Sequence, residues 1–257
     1  MVHNELAATD RVPSHGRLIL KRIIFSIAAT IFAATIAPGT QAQSSPVAMK
    51  TTRIKVDSSA YVEFTHVDSS KFNISDGANP KPIHVKAVVS YLNSSGSTQL
   101  DINEFELKGK PGWSPWSFGH AIVMDVDGDG QKDIVFTSSC SHGGSGTVEY
   151  LTIFRRTKNT FTVMDPLMTV SSNIHGGAFF PATINNKNAF VVTEPLDRAE
   201  KSRADARLWK IETYQFAAGN LVKLNSTTTK QRFSEKVPTN TLKSMLPAGW
   251  QLGQQFE

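Results

Sequence analysis

The sequence predicts an all-β protein of antiparallel sheets, arranged as a small, irregular β-propeller-like array of repeats, with a β-sandwich as the alternative. Three observations predict this class. Short runs rich in Val, Ile, Phe, Tyr and Thr alternate with turn-forming stretches along most of the chain. An order of strands and turns recurs at a spacing of about 57 residues. The chain also lacks the alternation of strands and helical segments that is typical of α/β folds.

Residues 1–42 are predicted to be a signal peptide. An apolar run from Ile23 to Ile36 follows a basic front, and small residues at Thr40-Gln41-Ala42 offer a cleavage site. The run is shorter than the roughly 20 residues that a transmembrane helix needs. We therefore expect a secreted or periplasmic protein that has no stable membrane insertion after cleavage.

The composition excludes one class of partner. Beyond residue 42 the chain has 23 basic and 20 acidic residues, and no basic stripe with interleaved aromatic residues. Nucleic-acid binding is therefore not predicted. Cys140 is the only cysteine, so the domain has no intramolecular disulfide and must rely on its core and on any bound metal.

A flexible leader is predicted at 43–52, followed by a β domain at 53–226. The first strands of this domain are predicted at 53–68, 83–92 and 99–107. The last two of these strands flank a Ser- and Gly-rich turn, which is typical of a hairpin.

The loop that follows contains two closely spaced tryptophans, Trp113 and Trp116. Their rings could form a platform for sugars, which would make the protein a carbohydrate-binding protein or a glycan-active hydrolase. The favoured interpretation is that they cap the end of a β core, because large aromatic rings bury much apolar area. The sequence leaves both interpretations open.

Two repeats are legible, at about 118–170 and 175–226. In this alignment Ala121 corresponds to Ala178 and Leu151 to Leu208. Four strands in each unit are typical of a propeller blade. The C-terminal tail at 227–257 is predicted to be irregular, with a short helix near 240–246.

The segment from Asp125 to Asp133 carries the strongest chemical signal. Aspartates occupy positions 1, 3, 5 and 9 of one short Gly-containing loop between two apolar runs. Folding the loop brings four carboxylates together, and their mutual repulsion is relieved by a hard divalent cation. Calcium accepts six to eight oxygen ligands in flexible geometry. A polar hairpin with Asp-Gly turn chemistry would explain only one or two of the aspartates.

The loop is not an EF-hand, since position 12 is Phe136 rather than Glu. It resembles the calcium loop of FG-GAP and integrin-alpha-like (VCBS-type) repeats, and Phe118-Gly119 just upstream fits that resemblance. The resemblance covers about one repeat. The calcium ligands that it implies are the side chains of Asp125, Asp127, Asp129 and Asp133 and the backbone carbonyl of Gln131. It also implies a structural or adhesive role, with a protein or a glycan as the partner.

The sequence does not indicate a reaction, and no catalytic residue is predicted. Cys140 and His142 lie two positions apart, which would place them on one face of an extended segment. A cysteine–histidine pair of this kind can act as a nucleophile. A buried cysteine beside a surface histidine is the alternative interpretation.

Overall fold

The computed structural model describes residues 47–68, 70–71, 81–92, 95–96, 98–107, 117–141, 146–172, 176–196 and 205–256. The predicted signal peptide at 1–42 lies outside these ranges. Within them, no helix has both the length and the apolar character needed to cross a membrane.

The described strands form three antiparallel sheets, each built on a meander of four consecutive strands. The first sheet contains β1 (Met49–Lys55), β2 (Ala60–Val67), β3 (Ile83–Leu92) and β4 (Thr98–Leu107). The second contains β5 (Ser117–Met124), β6 (Asp133–Ser141), β7 (Gly146–Thr157) and β8 (Thr160–Val163). The third contains β10 (Ala178–Ile184), β11 (Lys187–Pro195), β12 (Trp209–Ala217) and β13 (Asn220–Thr228).

Two further strands extend these meanders. In the second sheet, β9 (Leu167–Ser172) pairs with the first half of β7. In the third sheet, β14 (Trp250–Leu252) adds to the free edge of β10. Helix α1 (Thr239–Met245) lies between β13 and β14 in the chain, close to the predicted helix at 240–246.

The ordered domain begins earlier than the predicted boundary at residue 53. Strand β1 starts at Met49, within the segment predicted as a flexible leader, and pairs with β2 from Met49 opposite Val67 onward. Its first three side chains are exposed, so this edge strand shows no apolar alternation in the sequence. Main-chain hydrogen bonds to β2 hold β1 in the sheet, and such bonds produce no pattern of apolar residues in the sequence.

The three sheets stack face to face, and alternate residues of the middle sheet serve two cores. Ile134, Phe136 and Phe154 pack against Val62, Phe64 and Val85 of the first sheet. Val135, Leu151 and Ile153 face the other way and pack against Phe179, Phe190 and Val192 of the third sheet. This division follows from the two-residue period of a strand. A third core joins the third sheet to the C-terminal segment through Trp209, Val237 and Leu242.

The second and third meanders have the same strand order, and side-chain direction requires matching residues to be an even number of positions apart. Ile134 and Phe190, 56 positions apart, both face the preceding sheet. Leu151 and Trp209, 58 positions apart, both face the element that follows. The predicted matches of Ala121 with Ala178 and of Leu151 with Leu208 are wrong, because an odd shift of 57 exchanges the two faces of the sheet: Ala121 packs in the first core and Ala178 in the third.

The all-β prediction is confirmed, and the first sheet adds a third four-stranded unit to the two that the sequence makes legible. None of the three sheets closes on itself among the described residues. At one end of the stack lie the turns that join the first two strands of each meander. They are 56–59 in the first sheet, 125–132 in the second and the two-residue turn Asn185-Asn186 in the third.

Candidate metal centre

The aspartate loop spans 125–132 and connects β5 to β6, with Asp133 as the first residue of β6 opposite Met124. Gly128 and Gly130 have φ angles of 80° and 86°. Glycine adopts this region without a Cβ clash, so these two positions let the chain fold back on itself within the loop. The fold-back brings carboxylates from both ends of the loop together.

Three of the four aspartates converge. Asp125, Asp127 and Asp133 each offer a carboxylate oxygen, and these oxygens lie within 4.8 Å of one another. Asp129 does not belong to this group. Its carboxylate instead accepts hydrogen bonds from the backbone N–H of Gln131 at 2.8 Å and from the side-chain amide of Gln131 at 3.3 Å. The expected four-carboxylate cluster is thus a three-carboxylate cluster, with Asp129 and Gln131 paired beside it.

Backbone amides hold all three carboxylates in place. Asp127 Oδ1 accepts one such bond, from Asp129 N at 3.1 Å, and the other two carboxylates accept two each. Both oxygens of Asp125 accept hydrogen bonds, from Gly128 N at 2.7 Å and from Gly130 N at 2.9 Å. Both oxygens of Asp133 do the same, from Val126 N and Arg156 N, each at 2.8 Å. A carboxylate oxygen carries two lone pairs, so one hydrogen bond per oxygen leaves room for a cation.

Asp133 is fully buried, and burial makes its ionised form less favourable than in water. Burial, together with the negative charges of Asp127 and Asp129, raises the pKa of Asp133 to about 6, against the opposing effect of its two backbone N–H donors. A proton or a metal ion can relieve this situation.

Asp127 also has a side-chain partner. Arg155 in β7 donates from its Nε to Asp127 Oδ2 at 2.5 Å, and the carboxylate is almost entirely buried. The guanidinium also lies over the ring of Phe216 in β12, 5.3 Å from the ring centroid. Arg155 therefore supplies one positive charge to the carboxylate cluster and connects the cluster to the third sheet.

Two side-chain contacts tie the loop to its neighbours. Asn188, at the start of β11, donates a hydrogen bond to the backbone carbonyl of Asp125. On the other side, the Arg156 side chain forms an ion pair with Asp57 and donates to Ser59 Oγ at 3.0 Å, in the β1–β2 turn. The Arg156 backbone N–H also binds Asp133, so Arg156 connects the end of the loop to the first sheet.

Sequence reasoning missed Arg155, Arg156 and Asn188. Their partners lie 28, 99 and 63 positions away along the chain. No local spacing could have identified these contacts. The sequence offers only a weak indication of them. Two adjacent arginines end an otherwise apolar strand, and an arginine that is buried there needs a charged or polar partner.

The donor set fits a hard cation. Calcium binds oxygen ligands at about 2.3–2.6 Å, so oxygens on opposite sides of one ion lie up to about 5 Å apart. The separation of at most 4.8 Å between the three carboxylate oxygens is compatible with this limit. The cluster contains carboxylates only, with no Cys or His among the residues grouped there, so a soft metal is not favoured.

The other predicted candidates are not assembled into a site by the part of the chain that is described. Trp113, Trp116 and His142 fall outside the described residues. Cys140 is completely buried in β6, which agrees with a buried cysteine rather than an accessible nucleophile.

Comparison of the chain with protein-family models, with curated proteins and with solved structures finds no match in any of the three.

Proposed function

We propose that the loop binds a calcium ion through Asp125, Asp127 and Asp133, and that the protein is an exported, calcium-binding β-repeat module. The observation that carries the proposal is the convergence of three carboxylates around a fully buried Asp133. In the bound state, Asp129 and the carbonyl of Gln131 complete the ligand set that the FG-GAP resemblance implies.

The role proposed for the ion is structural. The cation neutralises the repulsion between the carboxylates and fixes the loop. The loop in turn holds Asn188 of the third sheet and, through the Arg156 backbone, the Asp57 turn of the first sheet. Calcium would therefore stabilise the stacking of the sheets as well as the loop. A ligand that binds only the native state stabilises it by about 2.7 kcal/mol at a hundredfold excess over Kd.

We further propose that the stacked four-stranded sheets are blades of a small, irregular propeller-like array. Each has the up-and-down order of a blade, and each packs face to face on the next. Such an array would present its loops to a protein or glycan partner outside the cytoplasm. Affinity for calcium in the range of about 10⁻⁴–10⁻³ M suffices there.

Calorimetric titration with calcium tests the proposal. The unsubstituted protein should bind one ion, and Asp125→Asn and Asp133→Asn should each weaken binding at least about tenfold, because each removes a charged ligand from a small cluster. Asp165→Asn is the matched control, since Asp165 is exposed and lies outside the loop.

Asp129→Asn distinguishes the two ligand sets. A large loss of affinity means that Asp129 moves into the site on binding, as the resemblance implies. A small loss means that the three converging carboxylates suffice. Absence of saturable calcium binding by the unsubstituted protein would overturn the proposal altogether.

A further inference from the structure

A second candidate site lies away from the aspartate loop, where β5, α1 and the C-terminal residues 252–255 meet. These elements border an open cleft of about 650 Å³. Ligand pockets commonly have volumes of about 300–1,000 Å³, so the cleft can accept a molecule of one or two sugar rings.

A β-bulge in β5 turns His120 toward this cleft. Phe118 pairs with Ser138, but Ala121 pairs with Phe136, so β5 has one extra residue at this point. Phe118 and Ala121 consequently both pack against the core between the first two sheets. Regular alternation would have pointed His120 into that core; the bulge exposes it instead.

The bulge is stabilised by specific contacts. His120 N donates to Thr137 Oγ1 at 2.9 Å, which compensates for the interrupted ladder. Gly119 is required beside it, because a Cβ at that position would lie 2.5 Å from the same Thr137 oxygen. His120 is thus held by its backbone on a rigid strand and does not depend on a mobile loop for its position.

The C-terminal wall of the cleft is also fixed. Gly253 N donates to Pro181 O at 2.8 Å, and Phe256 N donates to Phe179 O at 3.0 Å. The Phe256 side chain is buried and its ring lies edge-on to that of His120, with 6.5 Å between the centroids. These contacts hold the two intervening glutamines between anchored residues.

The chemistry of the lining favours an anionic, hydroxylated ligand. The polar lining residues are Lys243, His120, Gln254, Gln255 and Thr239, and none of the lining residues that the structure describes is acidic. Phe180 and Leu252 add apolar surface. An ammonium group attracts an anion, while amides and hydroxyls pair with sugar hydroxyls.

We propose that this cleft binds a small acidic sugar, with Lys243 pairing with the carboxylate of a uronic acid. The glutamine amides and the Thr239 hydroxyl bind the ring hydroxyls, and the half-buried Leu252 faces the apolar side of the ring. The site is independent of the proposed calcium centre, since none of its lining residues belongs to the aspartate loop.

The test is a calorimetric titration of the protein, purified after expression of the full chain, with digalacturonic acid. Saturable binding is expected, and Lys243→Gln should weaken it about tenfold, because a charge-assisted contact is lost. Lys243 is exposed on α1, so this substitution should leave the fold intact. Lys230→Gln removes an exposed lysine outside the cleft and should change nothing.

Two comparison ligands sharpen the result. Maltose has a similar size and no charge, and should bind at least about tenfold more weakly than the acidic disaccharide. The proposal is overturned if digalacturonic acid does not bind, if maltose binds as well, or if Lys243→Gln has no effect. Binding of inorganic phosphate alone, lost in Lys243→Gln, would also overturn it, by identifying a simple anion site.

Discussion

In the absence of a bound cation, raising the pH from 4 to 7 should remove about 2 kcal/mol of folding stability through Asp133 alone. The pKa of this carboxyl rises from 3.8 to about 6 on folding, because the group is buried beside other carboxylates. One pKa unit corresponds to about 1.36 kcal/mol, so the whole shift is worth about 3 kcal/mol. Part of it lies below pH 4, because the unfolded carboxyl is already more than half ionised there.

The direction follows from proton linkage. Between pH 4 and 6 the native state holds a proton on Asp133 that the unfolded state has released, so stability falls as the pH rises. The contribution of Asp133 is fully present below the unfolded pKa and is lost as the pH passes the folded pKa. Calcium should reverse the loss above pH 6, because it replaces the proton on the ionised carboxylate.

Urea denaturation at pH 4, 5, 6 and 7 without divalent cations measures the effect. Other groups titrate over the same range, so the informative quantity is the stability of the unsubstituted protein minus that of Asp133→Asn. This difference should fall by about 2 kcal/mol across the series. Asp165→Asn is the control, because Asp165 is exposed and lies outside the loop, so its substitution leaves the surroundings of Asp133 unchanged.

A difference between the unsubstituted protein and Asp133→Asn that stays constant with pH would refute the reasoning. Such a result would mean that Asp133 is as well solvated in the native state as in the unfolded chain. Burial of Asp133 would then give no reason to expect a compensating cation at the loop.

Three further predictions concern other residues. Gly119→Ala should destabilise the protein by about 1–3 kcal/mol in urea denaturation, because the new methyl group meets Thr137, whereas Gly146→Ala has open space and should not. Burial lowers the pKa of His66 below 6.5, so the native state favours the neutral imidazole. The stability that this neutral ring contributes should therefore be lost as the pH falls below 6.5, and His66→Gln should remove this pH dependence in urea denaturation. Arg155→Gln should tighten calcium binding a few-fold in calorimetry, since its guanidinium no longer competes for the loop; unchanged or weaker binding would contradict this.

The sequence predicts most of the strands because their signals are local. Apolar alternation and turn residues place β3, β4, β6 and β7 close to their observed positions. The edge strand β1 escapes prediction because its first side chains are exposed, and β14 because three residues carry no periodicity. The bulge at Gly119 is likewise invisible, since it depends on a contact with Thr137 on the next strand.

The candidate centre is predictable to a similar extent. Aspartate spacing identifies the loop, but it cannot say which carboxylates converge, because that depends on the path of the backbone through Gly128 and Gly130. The spacing predicts four converging carboxylates, whereas three converge in the structure. The arginines and the asparagine that connect the loop to the neighbouring sheets come from distant parts of the chain, so only the folded arrangement reveals them.

A thermal melt with about 10–100 mM calcium, a hundredfold excess over the proposed Kd, and with chelator, for the unsubstituted protein and for Asp127→Ala, tests the central claim most directly. At a hundredfold excess over Kd, the stabilisation of about 2.7 kcal/mol corresponds to a rise in Tm of about 5–10 °C for a domain of this size. The account predicts this rise for the unsubstituted protein and its loss in Asp127→Ala. An unchanged Tm on adding calcium, or an equal rise in the variant, would contradict the assignment of the loop as a calcium centre.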